Sequence, residues 1–234
     1  MMPELCSGMD AIDAWKKASK LVLKAPEHRI RNLVVEIDNP TTFQRPWLKK
    51  FDPKGVGSTD RLSVVVKVLF PYTGKKPNET REQFYERWNS SLEENRKKKR
   101  LRAPWGTYFG RLTNFGGEEN QLENIIRALS SWGMKPEAAL VAHTSAPTLD
   151  AIKPIGSPCL QYIEILWGRD DVIDLVAVYR NHEFLKKALG NYIGLGRLLQ
   201  FISSESGKTA GRIICHSVRA YCDEPNRLRA LVAK

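Results

Sequence analysis

The chain has 234 residues, 42% hydrophobic and 27% charged, which excludes disordered and fibrous classes and suits one large domain or at most two small ones. A chain this long buries roughly 70% or more of its unfolded surface, so it folds without staples. The net charge of +11, from 37 basic and 26 acidic side chains, favours an anionic partner: a nucleotide phosphate, a polyanionic cofactor or a nucleic acid.

Asp10 and Asp13 stand where a signal peptide would carry its apolar core. No apolar run approaches the ~18 residues of a membrane span. The four cysteines, Cys6, Cys159, Cys215 and Cys222, form no CxxC pair. These features predict a cytoplasmic protein with reduced thiols and no membrane partner.

In chain order, Ile12, Trp15, Leu21 and Val22 fall near one face and predict a helix over Ala11 to Lys24. The β-branched runs Arg31 to Ile37 and Leu62 to Phe70 predict strands. Between them lies a loop with Pro40, Arg45, Pro46, Lys49, Lys50, Pro53, Lys54, Gly55 and Gly57, read either as an anion-contacting loop or as a solvated connector. Glu79 to Lys99 predicts a helix running into Arg96-Lys97-Lys98-Lys99-Arg100, a nucleic-acid patch or simply an exposed helix end. Leu122, Ile125, Ile126 and Leu129 predict a helix over Gln121 to Trp132. Strands follow at Ala138 to His143, Cys159 to Leu166 and Val172 to Tyr179. Phe184 to Ser203 is a long apolar helix containing Gly190, Gly194 and Gly196; Gly211 to Tyr221 is a strand, and Pro225 to Val232 a closing helix. The order predicts an α+β fold, one domain over 1–234 with a mixed sheet packed around a long central apolar helix.

Cys159 follows the turn Gly156-Ser157-Pro158 and opens a strand, where a thiol is reachable. It is a nucleophile if a cation such as Arg180 stands nearby, and otherwise a small buried apolar residue. Arg180, between strand and helix, suits a phosphate, while Asn181 suits a helix cap. Asn191 puts an amide in an apolar helix, where it satisfies backbone or reads a ligand edge. Gly190 and Gly194 beside it allow close approach of a ligand or strand. Gly194-Leu195-Gly196 lacks a third glycine and a preceding strand, and Cys215, His216 and Cys222 lack zinc spacing, so no dinucleotide loop or metal site is predicted.

Five segments in order resemble the thymidylate synthase and pyrimidine hydroxymethylase family, closest to its compact archaeal-type form. Trp105-Gly106-Thr107-Tyr108-Phe109-Gly110-Arg111-Leu112 resembles YGxRL. Asn120-Gln121-Leu122 resembles the DQ-started helix. Pro158-Cys159-Leu160-Gln161 resembles the nucleophile motif PCH with its following strand. Tyr179-Arg180-Asn181-His182-Glu183, with Asn191 eight residues after Glu183, resembles RSxD…N. Arg219-Ala220-Tyr221 stands where the family has HxY.

The resemblance implies a C5 one-carbon transferase on a pyrimidine nucleotide, with 5,10-methylenetetrahydrofolate as donor and a sheet-to-sheet homodimer. Cys159 would add to C6. Arg180 would hold the 5′-phosphate, Asn191 the N3/O4 edge of uracil, and Tyr221 the ribose 3′-hydroxyl. Asn181, Arg219, Gln161 and Tyr108 complete the substrate side, with Glu183 and Trp105 on the cofactor side. Glu82 and Glu86 are the candidates for the family's general acid/base.

The departures are equally specific. Glu137-Ala138-Ala139 replaces the paired arginines that reach a phosphate across the dimer, leaving Lys135 or the loop from Arg45 to Lys54 to substitute. Asn181 replaces Ser, Glu183 Asp, Leu160 His and Arg219 His, and the C-terminal segment that closes over folate has no counterpart before Lys234. The alternatives are therefore a degenerate family member that binds a nucleotide or protein partner without turnover, and a nucleic-acid binder, the less favoured of the two.

Overall fold

A computed structural model describes the chain except residues 1, 43–50, 52–60, 72, 102, 104, 118, 134–136, 139, 151–155, 169 and 234. The basic loop residues Arg45 to Lys50 and Pro53 to Gly57, and Lys135, lie outside the described residues.

The fold is mixed α and β. Strands β1 (Glu4–Gly8), β2 (Arg29–Ile37), β3 (Leu140–His143), β4 (Leu160–Trp167), β5 (Val172–Tyr179), β6 (His182–Glu183) and β7 (Thr209–Tyr221) form one seven-stranded sheet. Its order is β1-β2-β7-β5-β4-β3, with short β6 pairing the end of β7. The β1–β2 and β5–β7 pairs are parallel; β2–β7, β4–β5 and β3–β4 are antiparallel. Alternate residues of each strand enter the core, Leu33, Val35 and Ile37 on β2 and Ile173, Leu175 and Ala177 on β5, as the strand period of two requires.

The helices are α1 (Ala11–Lys24), α2 (Leu62–Leu69), α3 (Arg81–Lys97), α4 (Tyr108–Thr113), α5 (Gln121–Ser131), α6 (Ala188–Ser206) and α7 (Pro225–Val232). Asp10 caps α1, its carboxylate accepting from the N–H of Ile12 and Asp13 at 2.9 Å. Thr80 and Gln83 form a reciprocal capping box on α3. Helix α6 is buried along most of its length and touches α1, α2, α5 and strands β5 and β7.

Leu62 to Phe70 is a helix, not the expected strand. Its β-branched content suggested a strand, but Leu62, Val65, Val66 and Leu69 are buried at the i, i+3, i+4, i+7 spacing of a helix face. That face packs on α6. A Cβ at Gly190 would sit 2.7 Å from Val65, and one at Gly194 2.7 Å from Leu69. The glycines expected to admit a ligand or strand thus admit a neighbouring helix. Strand β1 and helix α4 were not anticipated, and α6 begins at Ala188 rather than Phe184 because Phe184 to Lys187 form turns.

Candidate functional site

A cleft of about 760 Å³ opens where the start of β4, the β5–β6 connection and the first turns of α6 meet α2, α3 and the segment before α4. Cys159, Tyr108, Asn181, Glu183, Asn191, Tyr221 and Trp105 all line it. The structure thus brings together seven of the expected residues from five separate segments.

Cys159 is half-buried immediately before β4, beside a register shift between Leu160 and Tyr162. Its backbone is held on both sides. Its carbonyl accepts from the Arg180 N–H at 2.9 Å. The Tyr108 hydroxyl accepts from the N–H groups of Cys159 and Leu160, each at 3.2 Å. Thr107 fixes Tyr108 in turn, capping α4 through a 3.0 Å bond from the Gly110 N–H. Burial pushes the Cys159 thiol above its ordinary value; the positive charges of Arg180 and Lys187 oppose the rise without cancelling it. Burial likewise raises Tyr108, so its hydroxyl stays protonated.

Arg180 does not line the cleft. Its Nε donates to the Pro158 carbonyl at 3.0 Å and its Nη2 to that of Ser157 at 3.3 Å, so its fork braces the turn that delivers Cys159. Gln161 is also a brace: its amide donates to the Pro158 carbonyl at 3.0 Å and accepts from the Ser145 hydroxyl at 3.1 Å. Arg219 donates to Asn181 Oδ1 at 2.7 Å and lies 4.2 Å over the Tyr221 ring. Asn181 also hydrogen-bonds Tyr221, so these three side chains make one cluster at the cleft edge. Asn181 is not the expected helix cap; Lys187 holds that position.

Glu82 and Glu86 are not brought to Cys159. Both project from the exposed face of α3, whose buried face carries Phe84, Tyr85 and Trp88, and Glu82 pairs with Arg127 at 3.7 Å. The carboxylates on the cleft are Glu183 and Asp223; Glu183 is the one that lies in the expected motif. It accepts from the N–H of Leu185 at 3.1 Å and from that of Lys186, and burial raises its pKa against those bonds.

Sequence reasoning did not assign His182, which also lines the cleft. It is 1% exposed, stacked on Tyr179 at 4.2 Å, and bonded to Asn191 Nδ2 at 3.0 Å and Ser217 Oγ at 2.8 Å. The signal was present in the run Tyr179 to Glu183, where a histidine stands in an otherwise matched motif. The opposite wall was missed too. Val64, Val65 and Val68 of α2, with Trp88 and Leu92 of α3, make it largely apolar beside Lys67, Ser91 and Asn95, and it depends on reading α2 as a helix. Among the described residues no His, Cys, Asp and Glu group suits a metal ion, and no helix is long and apolar enough to cross a membrane.

No protein-family model matches the chain. Curated archaeal proteins do. A protein of Methanococcoides burtonii named "Putative thymidylate synthase" is 27% identical over 175 residues, 73% of this chain and 76% of its own. Proteins of the same name from Methanosarcina mazei and Methanosarcina barkeri are 28% and 26% identical over the same extent. Over about three quarters of its length the chain is therefore similar, at 26–28% identity, to archaeal proteins named as putative thymidylate synthases.

Proposed function

We propose that this protein is a C5 one-carbon transferase, methyl or hydroxymethyl, acting on a pyrimidine nucleotide of the dUMP kind. The observation that carries the reading is the convergence of Cys159, Asn191 and Tyr221 on one cleft, with Tyr108 fixing the backbone beneath the thiol. Such a cleft has the size and mixed lining of a small-molecule site.

In this mechanism the Cys159 sulfur adds to C6 of the base. The electron pair of the C5–C6 double bond then makes C5 the nucleophile. Arg180 holds the Ser157–Pro158 turn so that the sulfur stays at the cleft. Asn191 orients the base, and the Asn181–Arg219–Tyr221 cluster offers hydroxyl and amide groups to the sugar. Because burial keeps the thiol protonated near neutral pH, the addition needs its proton removed. The rate therefore rises with pH and is still rising at about pH 8.5, the ordinary thiol value.

Methylenetetrahydrofolate supplies the one-carbon unit when bound. The cleft fits it: Val68, Trp88, Leu92 and Trp105 offer an apolar flank to a flat heteroaromatic ring, and Glu183 offers a carboxylate to its polar edge. The outer face of the sheet supports a homodimer. Val34, His216, Val178, Tyr162 and His143 form one cross-strand row, and Ile214, Val176, Glu164 and Val141 lie in the next. These residues stay partly or fully open to solvent while their neighbours enter the core. Two such faces against each other would cover the rows; a solution mass of twice the chain's checks this.

One observation favours a second reading, a nucleotide binder without turnover. Arg180 is engaged with backbone carbonyls, and Glu137-Ala138 stands where the family's phosphate arginines belong. Exchange of the C5 proton decides between them. The protein is incubated in D2O with dUMP, dCMP, UMP and CMP in turn, with and without tetrahydrofolate, and each nucleotide is weighed by mass spectrometry. A gain of one mass unit that is lost in Cys159→Ser supports the enzyme. Tight binding without exchange supports the binder.

A further inference from the structure

From Asn191 at the cleft a buried polar chain leads inward, and the mechanism above does not use its other members. It runs Asn191, His182, Ser217, Cys215, from the first turns of α6 through β6 to the middle of β7. Its members are 6%, 1%, 0% and 0% exposed. Tyr179 stacks on His182, and Phe184 and Tyr192 meet its ring edge-on at 5.6 Å and 5.7 Å, so the ring cannot turn without disturbing three aromatic neighbours.

The contact with the Asn191 amide fixes which ring nitrogen of His182 carries its proton. Burial pushes the His182 pKa down to about 3, so the ring is neutral and carries one N–H. A carboxamide nitrogen only donates, so Nε2, which faces Asn191 Nδ2, is the bare accepting nitrogen. The proton is then on Nδ1 and is donated to Ser217 Oγ. Ser217 also hydrogen-bonds the Cys215 thiol, which burial keeps protonated.

With one N–H committed to His182, Asn191 offers the cleft its Oδ1 and its second N–H at fixed positions. An amide held this way accepts from one ring atom and donates to the next. Uracil, with N3–H beside O4, matches it; cytosine, with a bare N3 beside an amino group, opposes it at both atoms. We infer that His182 and Ser217 are positioning residues that lock the Asn191 amide in its uracil-reading orientation, so that base selectivity is set two side chains away from the base. The inference rests on the nucleotide reading above.

The test compares equilibrium dissociation constants of the full chain for dUMP and dCMP by titration calorimetry, in the wild type, Ser217→Ala and His182→Phe. The wild type is expected to prefer dUMP by about tenfold or more, the discrimination a bidentate base contact provides. In Ser217→Ala the ring loses the acceptor for its Nδ1 proton, the amide is free to turn, and the preference falls by about tenfold, chiefly through tighter dCMP binding. His182→Phe keeps the stack on Tyr179 and gives the same collapse, which covers the case that one variant does not fold. A merely structural role would weaken both nucleotides alike and leave the ratio unmoved. An unchanged ratio in the folded variants, or a wild type that binds both bases equally, overturns the inference and leaves the nucleotide reading standing. A wild type that binds neither overturns both.

Discussion

The two walls of the cleft are built on different principles. The sheet wall is polar and braced by hydrogen bonds: Tyr108 holds the backbone of Cys159, Arg180 holds the turn before it, and His182 holds Asn191. The helix wall is mostly apolar, made chiefly by Val64, Val65, Val68, Trp88 and Leu92, and its shape comes from close contact between α2 and α6 at Gly190 and Gly194. Hydrogen bonds fix atoms to within tenths of an ångström and carry direction. Dispersion fixes only volume. The first wall is therefore suited to choosing a ligand and the second to accommodating one.

Substitutions on each wall sharpen this contrast. The largest effect belongs to Cys159→Ser. C5 exchange falls to background, while affinity for dUMP moves by less than about tenfold, because the group acts on the reaction rather than on ground-state binding. Next is Gly194→Val on the other wall. Its Cβ would stand 2.7 Å from that of Leu69, and its branches closer still. Stability by chemical denaturation falls by about 1–3 kcal/mol, the usual cost of overpacking; a variant as stable as the wild type would show that the seam is soft. Tyr108→Phe comes third. It leaves two buried N–H groups without their acceptor and lowers stability by about 1–3 kcal/mol, with a matching loss of exchange. Smallest are Glu82→Gln and Glu86→Gln, on the exposed face of α3. Exchange is unchanged and stability shifts by less than about 0.5 kcal/mol; loss of exchange in either would return a carboxylate to the chemistry.

The same contrast explains what was legible in the sequence. The sheet wall comes from residues whose chemistry shows one at a time: a cysteine after proline, an arginine at a strand end, an asparagine in an apolar helix. Cys159, Asn191 and Tyr221 could be named before any fold was known. The helix wall could not, because Leu62 to Phe70 satisfies two patterns at once. Its β-branched residues favour a strand, and its apolar spacing favours a helix. The decision came from two glycines more than a hundred residues away, which open the surface of α6 for α2 to enter. Arg180 and Gln161 show a different limit. Their identities suggest ligand contacts, yet both spend hydrogen bonds on the turn before Cys159. Whether a polar side chain faces a ligand or its own backbone is a matter of rotamer and neighbour, which spacing does not encode. His182 was hidden for the same reason, since its partner Ser217 lies 35 residues away on another strand.

The meeting of the two walls also sets where this cleft can be remodelled. Gly190, which touches Val65, is the residue immediately before Asn191. A change that enlarges or fills the apolar wall near Val65 acts on the same turn of α6 that presents the Asn191 amide, so the room in the cleft and the placement of that amide are tied together there. The rim is a separate module. Arg100, Leu101 and Ala103 also line the cleft, yet none of the three is fully buried. An effort to change the size of the ligand the cleft accepts has room to vary at the rim and almost none at the seam.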